Sequence, residues 1–308
     1  MKRAGYTLTE PAAGIVFVQG PASNWIILRE AKQFTLVDGG YRGDLPLVLA
    51  SIRDAGLAPG DAVAVLITHA HVDHTGAAAH FAQHYGAPVL CSSGELNHLR
   101  GEEKFSVTPL QIVRRAWQPR VFRWAVHVLR SGGAAGHPVP SAAAWDDALL
   151  AGLPGSPVAV PTPGHTPGHT AFYLPRAKAA ITGDALVTGH AISARTGPQL
   201  LHPMFHHDGV RADSALAILS RLDACLLLPG HGPALRTGIR EAANAARRQR
   251  VARAKPVVRP GSGWAGEPTC GRVEPAGRSW PVFRRRTLAA EISSVIKLRD
   301  SYLKEVGV

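Results

Sequence analysis

The chain has 308 residues, 45 % of them hydrophobic and 18 % charged, a globular balance that excludes wholesale disorder. No apolar run reaches the ~20 residues that span a bilayer, so a transmembrane segment and a membrane partner are not expected. The formal net charge of +12, from 34 Lys+Arg against 22 Asp+Glu, invites a nucleic-acid or membrane-surface reading.

The first 70 residues read as β-rich. Ile15–Val18, Trp25–Leu28, Phe34–Val37 and Val63–Thr68 are short runs of branched residues bounded by Gly, Pro or charged turns. Asp44–Ala55 places Leu45, Val48, Leu49 and Ile52 at helical spacing and stops at Gly56. A second helix is expected over Thr75–Tyr85 and a strand over Val89–Cys91. Residues 99–157 read as an insertion: Leu110–Leu129 is apolar and Arg-studded, enough for one or two helices, and Ser131–Ser141 is loop-like. Strands are expected again at Val158–Val160, Ala171–Leu174, Ala179–Thr182 and Cys225–Leu228, with a helix over Ala212–Leu222. Strands and helices in both halves imply two sheets packed face to face with helices outside.

Composition changes near residue 240. Residues 240–308 hold 15 basic and 6 acidic residues, against 19 and 16 in residues 1–239, so most of the surplus charge sits in a C-terminal extension. Within it an Ala/Arg helix over Glu241–Ala254 leads to a Pro/Gly-rich linker, 256–286, and an amphipathic candidate helix, 287–306, and part of it is expected to be disordered. The histidines are distributed in the opposite way. All 15 lie between His69 and His231. The three cysteines are scattered and form no CxxC pair, so neither a disulfide framework nor a thiolate metal site is indicated, and a reducing, cytoplasmic setting is expected.

The densest chemical signal is Thr68-His69-Ala70-His71-Val72-Asp73-His74-Thr75-Gly76, directly after a strand-like run. Residues i and i+2 of an extended segment point the same way, so His69 and His71 can reach one ion. Asp73 and His74 open the next helix and can face a second ion. The bland alternative is a run of surface histidines. With 15 His and 12 Asp in the chain, chance placement of this pattern is on the order of one in a thousand.

These residues resemble the first motif of the metallo-β-lactamase superfamily of dinuclear metallohydrolases. Further segments resemble that family in chain order: Leu36-Val37-Asp38-Gly39-Gly40, Thr162-Pro163-Gly164-His165-Thr166-Pro167-Gly168-His169-Thr170, Thr182-Gly183-Asp184 and Pro229-Gly230-His231-Gly232. The likeness covers about residues 14–235. One departure is Ala77 after Gly76, where such families often carry a second glycine.

The resemblance implies a four-layer αββα sandwich, with a hydrolase domain over 1–240. It implies that His69, His71 and His165 hold one metal, that Asp73, His74 and His231 hold a second, and that Asp184 bridges them. An all-N/O donor set suits zinc, two per chain, while iron or manganese also fit such donors. The implied chemistry is attack by a metal-bridging hydroxide on a carboxylic ester, thioester or lactone of a small molecule, with Asp73 orienting the nucleophile and shuttling a proton. Asp38 and His169 are candidates to orient ligands, and His206 and His207 lie in a Gly/Pro-rich stretch where a substrate loop is expected. Tyr41 and Tyr173 are weighed as oxyanion donors, with packing preferred, and His80, His84 and His98 are placed on or after an exposed helix. A nuclease of the same superfamily, using the basic tail, is the second reading. A β-lactamase and a mononuclear iron persulfide dioxygenase rank below it. Oligomeric state is not legible.

Overall fold

The computed structural model describes residues 1–254, so the expected linker over 256–286 and helix over 287–306 lie outside the described residues. The strands are β1 (Lys2–Arg3), β2 (Tyr6–Ala12), β3 (Ile15–Gln19), β4 (Asn24–Glu30), β5 (Gln33–Val37), β6 (Ala62–Leu66), β7 (Val89–Cys91), β8 (Ala143–Ala144), β9 (Val158–Pro161), β10 (Thr170–Leu174), β11 (Ala179–Gly183), β12 (Leu226–Pro229) and β13 (Leu235–Arg236). The helices are α1 (Leu45–Asp54), α2 (Ala78–Tyr85), α3 (Leu96–Arg100), α4 (Pro109–Val113), α5 (Pro119–Arg130), α6 (Asp147–Gly152), α7 (Gly209–Leu219) and α8 (Ile239–Ala254).

Strands β1 to β8 form one mixed sheet in sequential order, antiparallel as far as β5 and parallel from β5 to β8. The second sheet runs β13-β12-β11-β10-β9, with β11 and β12 parallel. Side chains of a strand alternate between faces, so a strand buried on both sides reads as a continuous apolar run. In β3 and β4, Ile15, Phe17, Ile26 and Leu28 pack against Phe172, Ile181 and Leu228 of the second sheet. Their neighbours Val16, Val18, Trp25 and Ile27 pack on the other face, with Val48 and Ile52 of α1 and Ala78 and Phe81 of α2. The outer face of the second sheet is covered by Ala215, Leu216 and Leu219 of α7 and by Ile239, Ala242, Ala243 and Ala246 of α8. The expected αββα layering is thus observed.

Three features differ from the sequence reading. The pairs β1 and β2 precede the first expected strand; Thr7 and Thr9 interrupt the apolar pattern, and only one face of this edge is buried. The insertion is narrower than 99–157. Leu99, Val139 and Ala142 belong to the outer core, β8 extends the first sheet beside β7, and Leu150 of α6 enters the space between the sheets. Two alanines carry no strand signal of their own, so β8 exists because β7 offers it an edge. Finally, α8 runs across the expected boundary at 240 and packs small residues against α7, where alanines permit close approach.

Candidate metal centre

The site gathers where β5, β6, β11 and β12 end, together with the β9–β10 turn. It starts at Asp38, immediately after β5, with φ at 61°. Asp tolerates that left-handed conformation better than most non-glycine residues. Its Oδ1 accepts the Thr68 backbone N–H at 2.8 Å, and its Oδ2 accepts the Thr68 hydroxyl and His74 Nδ1–H, each at 2.8 Å. With the Thr68 proton committed to Asp38, its oxygen accepts from His69 Nδ1 at 3.1 Å. Both histidines therefore commit Nδ1 to these partners and turn Nε2 inward.

The first cluster is His69, His71 and His165. His71 Nε2 donates to the Phe105 carbonyl at 2.5 Å, so its Nδ1 is also a lone pair. That atom lies 3.1 Å from His69 Nε2, and His165 Nε2 lies 3.1 and 2.8 Å from the two. Facing lone pairs at such distances repel unless a cation or proton sits between them. Three nitrogens about 2.0–2.1 Å from a tetrahedral ion would be roughly 3.3 Å apart, close to the spacing found.

The second cluster is Asp73, His74 and His231. His231 Nδ1 donates to the Ala22 carbonyl at 2.7 Å, which leaves Nε2 facing Asp73 Oδ2 at 3.4 Å. His74 Nε2 lies 3.9 Å from the same carboxylate. Asp184 stands between the clusters: Oδ2 is 3.3 Å from both His165 Nε2 and His231 Nε2, and Oδ1 is 3.4 Å from His74 Nε2. Both His74 Nε2 and Asp184 Oδ1 are buried without a hydrogen-bond partner. Such orphaned atoms are costly in a dry site, and a pair of cations would satisfy both. The residues present therefore fit two metal ions, with all seven expected ligands brought together.

Electrostatics divide the site. Burial, reinforced by neighbouring imidazoles, holds His69 and His165 well below the usual histidine range, and burial also lowers His71. Neutral imidazoles are the metal-binding form. Burial lowers His231 too, but Asp184 and Asp73 outweigh it and hold the ring at about 10; Asp184, Asp38 and Asp73 likewise hold His74 high. Asp184 is kept well below the usual carboxylate range: burial opposes this, and His231 and His74 overcome it. The negative charge of these carboxylates is the field that a divalent cation would meet.

His169 is not among the ligand clusters. Its Nε2 accepts the Asp184 backbone N–H at 3.0 Å, and its Nδ1 donates to Thr162 Oγ1 at 2.9 Å. Burial pushes it down to about 4, so it stays a neutral brace that fixes Asp184. Gly230 leaves room for this cradle: a Cβ there would lie 2.4 Å from Asp184 Oδ1 and 2.8 Å from His74 Cε1. Ala77, the departure from the family pattern, touches no ligand and lies against Gly39.

Several residues without a motif complete the centre. Fully buried Glu95 accepts from Ala70 N–H at 2.8 Å, Gly168 N–H at 2.9 Å and the Thr166 hydroxyl, tying the His69–His71 loop to the His165 loop. Burial would raise its carboxyl, but His98, Thr166 and Ala70 together hold it low. Asn24 donates to the carbonyls of Pro229 and Gly232 at 2.8 and 2.7 Å and so pins the His231 loop. Only the polarity of these residues inside apolar surroundings hinted at a role.

The remaining candidates separate. His206 has its ring 5.6 Å from that of His165, and His207 donates its backbone N–H to the His165 carbonyl at 3.0 Å, so both flank the first cluster. His190, pushed down to about 3 by burial, stacks edge-on with His231 at 4.8 Å. His98 departs from its expected exposed position: its ring is 5.8 Å from His71 and its Nδ1 3.5 Å from Glu95. His80 and His84 do lie on α2, stacked on each other at 4.0 Å. Tyr173 donates to the Asp223 carbonyl at 2.9 Å. Tyr41 is buried near Asp73, and burial with the carboxylates of Asp73, Asp44 and Asp184 keeps its hydroxyl protonated. Above the centre, Val121 and Trp124 of α5 pack on Met204, Phe205 and Ile192.

The sequence profile of the metallo-beta-lactamase superfamily matches residues 18–231. The chain is 25 % identical over 240 residues to the probable metallo-hydrolase YflN of Bacillus subtilis (strain 168), covering 73 % of this chain and 82 % of that one. It is 26 % identical over 214 residues to the hydroxyacylglutathione hydrolase GloC of Haemophilus influenzae, covering 67 % and 84 %. Among solved structures, TTHA1623 in a di-iron-bound form is similar with a TM-score of 0.50 and 25 % identity, over 72 % of this chain and 94 % of that one. Among the described residues no helix is long and apolar enough to cross a membrane.

Proposed function

The chain belongs to the metallo-β-lactamase superfamily, and from that premise we propose that it is a two-zinc hydrolase of a carboxylic ester, thioester or lactone of a small molecule. The observation that carries this reading is the pair of His/Asp clusters joined by Asp184, with unpartnered buried atoms at their junction. His69, His71 and His165 would hold one ion, Asp73, His74 and His231 the other, and Asp184 both. When bound, the ions supply hydroxide at neutral pH and polarise the substrate carbonyl.

The chain's own residues do the rest. Thr68, Phe105, Asp38 and the Ala22 carbonyl fix the ring orientations of His69, His71, His74 and His231, so His69 and His71 present a lone pair inward and His74 and His231, held protonated by the carboxylates, would release a proton as an ion binds. Asp73, only partly buried, is the carboxylate of the set open to solvent. It takes the proton given up by the attacking water and later returns that proton to the leaving group. His206 and His207 flank the entry side of the first cluster and contact the substrate. The similarity to the hydroxyacylglutathione hydrolase supports acyl substrates. The reading keeps the cytoplasmic setting, which cell fractionation checks.

The test combines metal analysis with an activity panel of esters, thioesters, lactones and phosphodiesters. The expected result is two zinc ions per chain and turnover of an acyl substrate. Cleavage of phosphodiesters alone, or one iron per chain without zinc, would sink the proposal.

A further inference from the structure

The hydrolase reading leaves the outside of the α4–α5 flap without a role. Residues 104–145 contain Lys104, Arg114, Arg115, Arg120, Arg123 and Arg130 and no acidic residue. In the same stretch Leu110, Val113 and Trp117 are 43, 41 and 79 % exposed. Single exposed apolar residues are ordinary, but three so close together form a patch that calls for a partner. Helix α5 extends it. Its inner face buries Val121 and Trp124 on the domain, while Phe122, Val126 and Leu129, on the opposite side of the helical wheel, are only half-buried.

The partner is indicated by charge and shape. A folded protein partner would have to bring an acidic face with a fitted pocket for these anchors. Here the sign is uniform and the most exposed aromatic protrudes from a turn between two helices. A fluid anionic interface needs no pocket: it takes Trp at headgroup depth, aliphatic side chains just below, and arginines at its phosphates. We propose that the α4–α5 flap seats on an anionic lipid surface, and that the metal centre behind it draws acyl substrates from that surface. The second half rests on the hydrolase reading and the first does not. This surface contact departs from the sequence expectation of no membrane partner, which rested on the lack of a spanning apolar run.

The flap also sits where such contact would serve the site. Its Trp124 neighbours the Tyr41 hydroxyl and lies 6.2 Å, ring to ring, from His190, which packs on His231. The Phe105 carbonyl at its base holds His71.

The full zinc-loaded chain is sedimented with vesicles of phosphatidylcholine, with and without phosphatidylglycerol, at low and high salt. Pelleting is expected with the anionic vesicles only and is weakened by salt. In the double variant Val113→Asp, Trp117→Asp the partition coefficient is expected to fall about tenfold or more. Zinc content, melting temperature and turnover of a water-soluble short-chain ester stay unchanged. No pelleting, equal pelleting with neutral vesicles, or pelleting undiminished in the variant overturns the proposal, the last assigning lipid binding to the basic tail. A dimer that the two substitutions dissociate, without vesicle binding, makes the face an interface between two copies and overturns it as well. If the variant loses vesicle binding while no acyl substrate is ever turned over, the docking surface stands and the hydrolase reading fails.

Discussion

Glu95 is not a ligand candidate, yet both ligand loops of the first cluster hang on its two oxygens, through Ala70 on one side and Thr166 and Gly168 on the other. Glu95→Gln keeps the volume but exchanges one acceptor for a donor, which then faces a backbone N–H or a hydroxyl. Affinity of the first cluster for zinc is expected to fall about 10- to 100-fold, read by competition with a chromogenic chelator while circular dichroism shows the fold retained. His71→Ala acts directly, removing one of the three converging nitrogens; turnover should drop by orders of magnitude, and unchanged turnover would refute the metallohydrolase chemistry. Asp44 carries a prediction about pH. Burial lifts its carboxyl to about 6, although it accepts the Tyr41 N–H at 3.0 Å. A raised folded value means that the protonated form favours the fold. Stability is then highest below the ordinary carboxylate range and declines as pH rises from about 4 to about 6, at up to about 1.4 kcal/mol per pH unit. Urea titrations across that window should show the parent losing stability relative to Asp44→Asn as pH rises, the difference separating Asp44 from the buried histidines that titrate in the same range.

At the scale of elements, parallel neighbours place the ends of β5, β6, β11 and β12 within reach of one another, and the ligands sit on the loops that follow. Those loops are braced across large sequence distances, as when Asn24 holds Pro229 and Gly232. The α4–α5 flap differs. It meets the domain through a small cluster around Val121, Trp124 and Met204 and shares no strand pairing. Replacing residues 109–130 by a short Gly/Ser linker, with Phe105 retained, should leave the metal content of the parent unchanged and change the ranking of substrates in the ester, thioester and lactone panel. An unchanged ranking would mean that the flap does not shape the pocket.

For the whole molecule, the four layers converge on a centre in which buried Asp38 and Asp184 and partly buried Asp73 meet five imidazoles, His69, His71, His74, His165 and His231. Ions that bind the folded chain and not the unfolded one stabilise it by mass action. Chelation should therefore lower the melting temperature, and added zinc should restore it; a melting temperature indifferent to both would argue against a site formed by the native fold. The net charge of +12 belongs mostly to residues 240–308, of which only the α8 portion is described, packed by Ile239, Ala242 and Ala243 onto α7.

The sequence by itself indicated two facing sheets, because strands buried on both faces must be continuously apolar, and it brought out seven candidate donors, four of them within six residues of one strand end and the other three through the likeness of their motifs to the metallo-β-lactamase superfamily. It also exposed the supporting candidates Asp38 and His169, which lie inside those motifs. Only the tertiary structure decided the rest. Glu95 reaches Thr166 across 71 positions and Asn24 reaches Pro229 across 205, and such partners have no local spacing to betray them. His98 and His190 came into the centre for the same reason, and β8, two alanines long, became a strand only because β7 left an edge to pair with. Local pattern encodes which chemistry a residue can offer; the pairing of distant strands settles what it will touch.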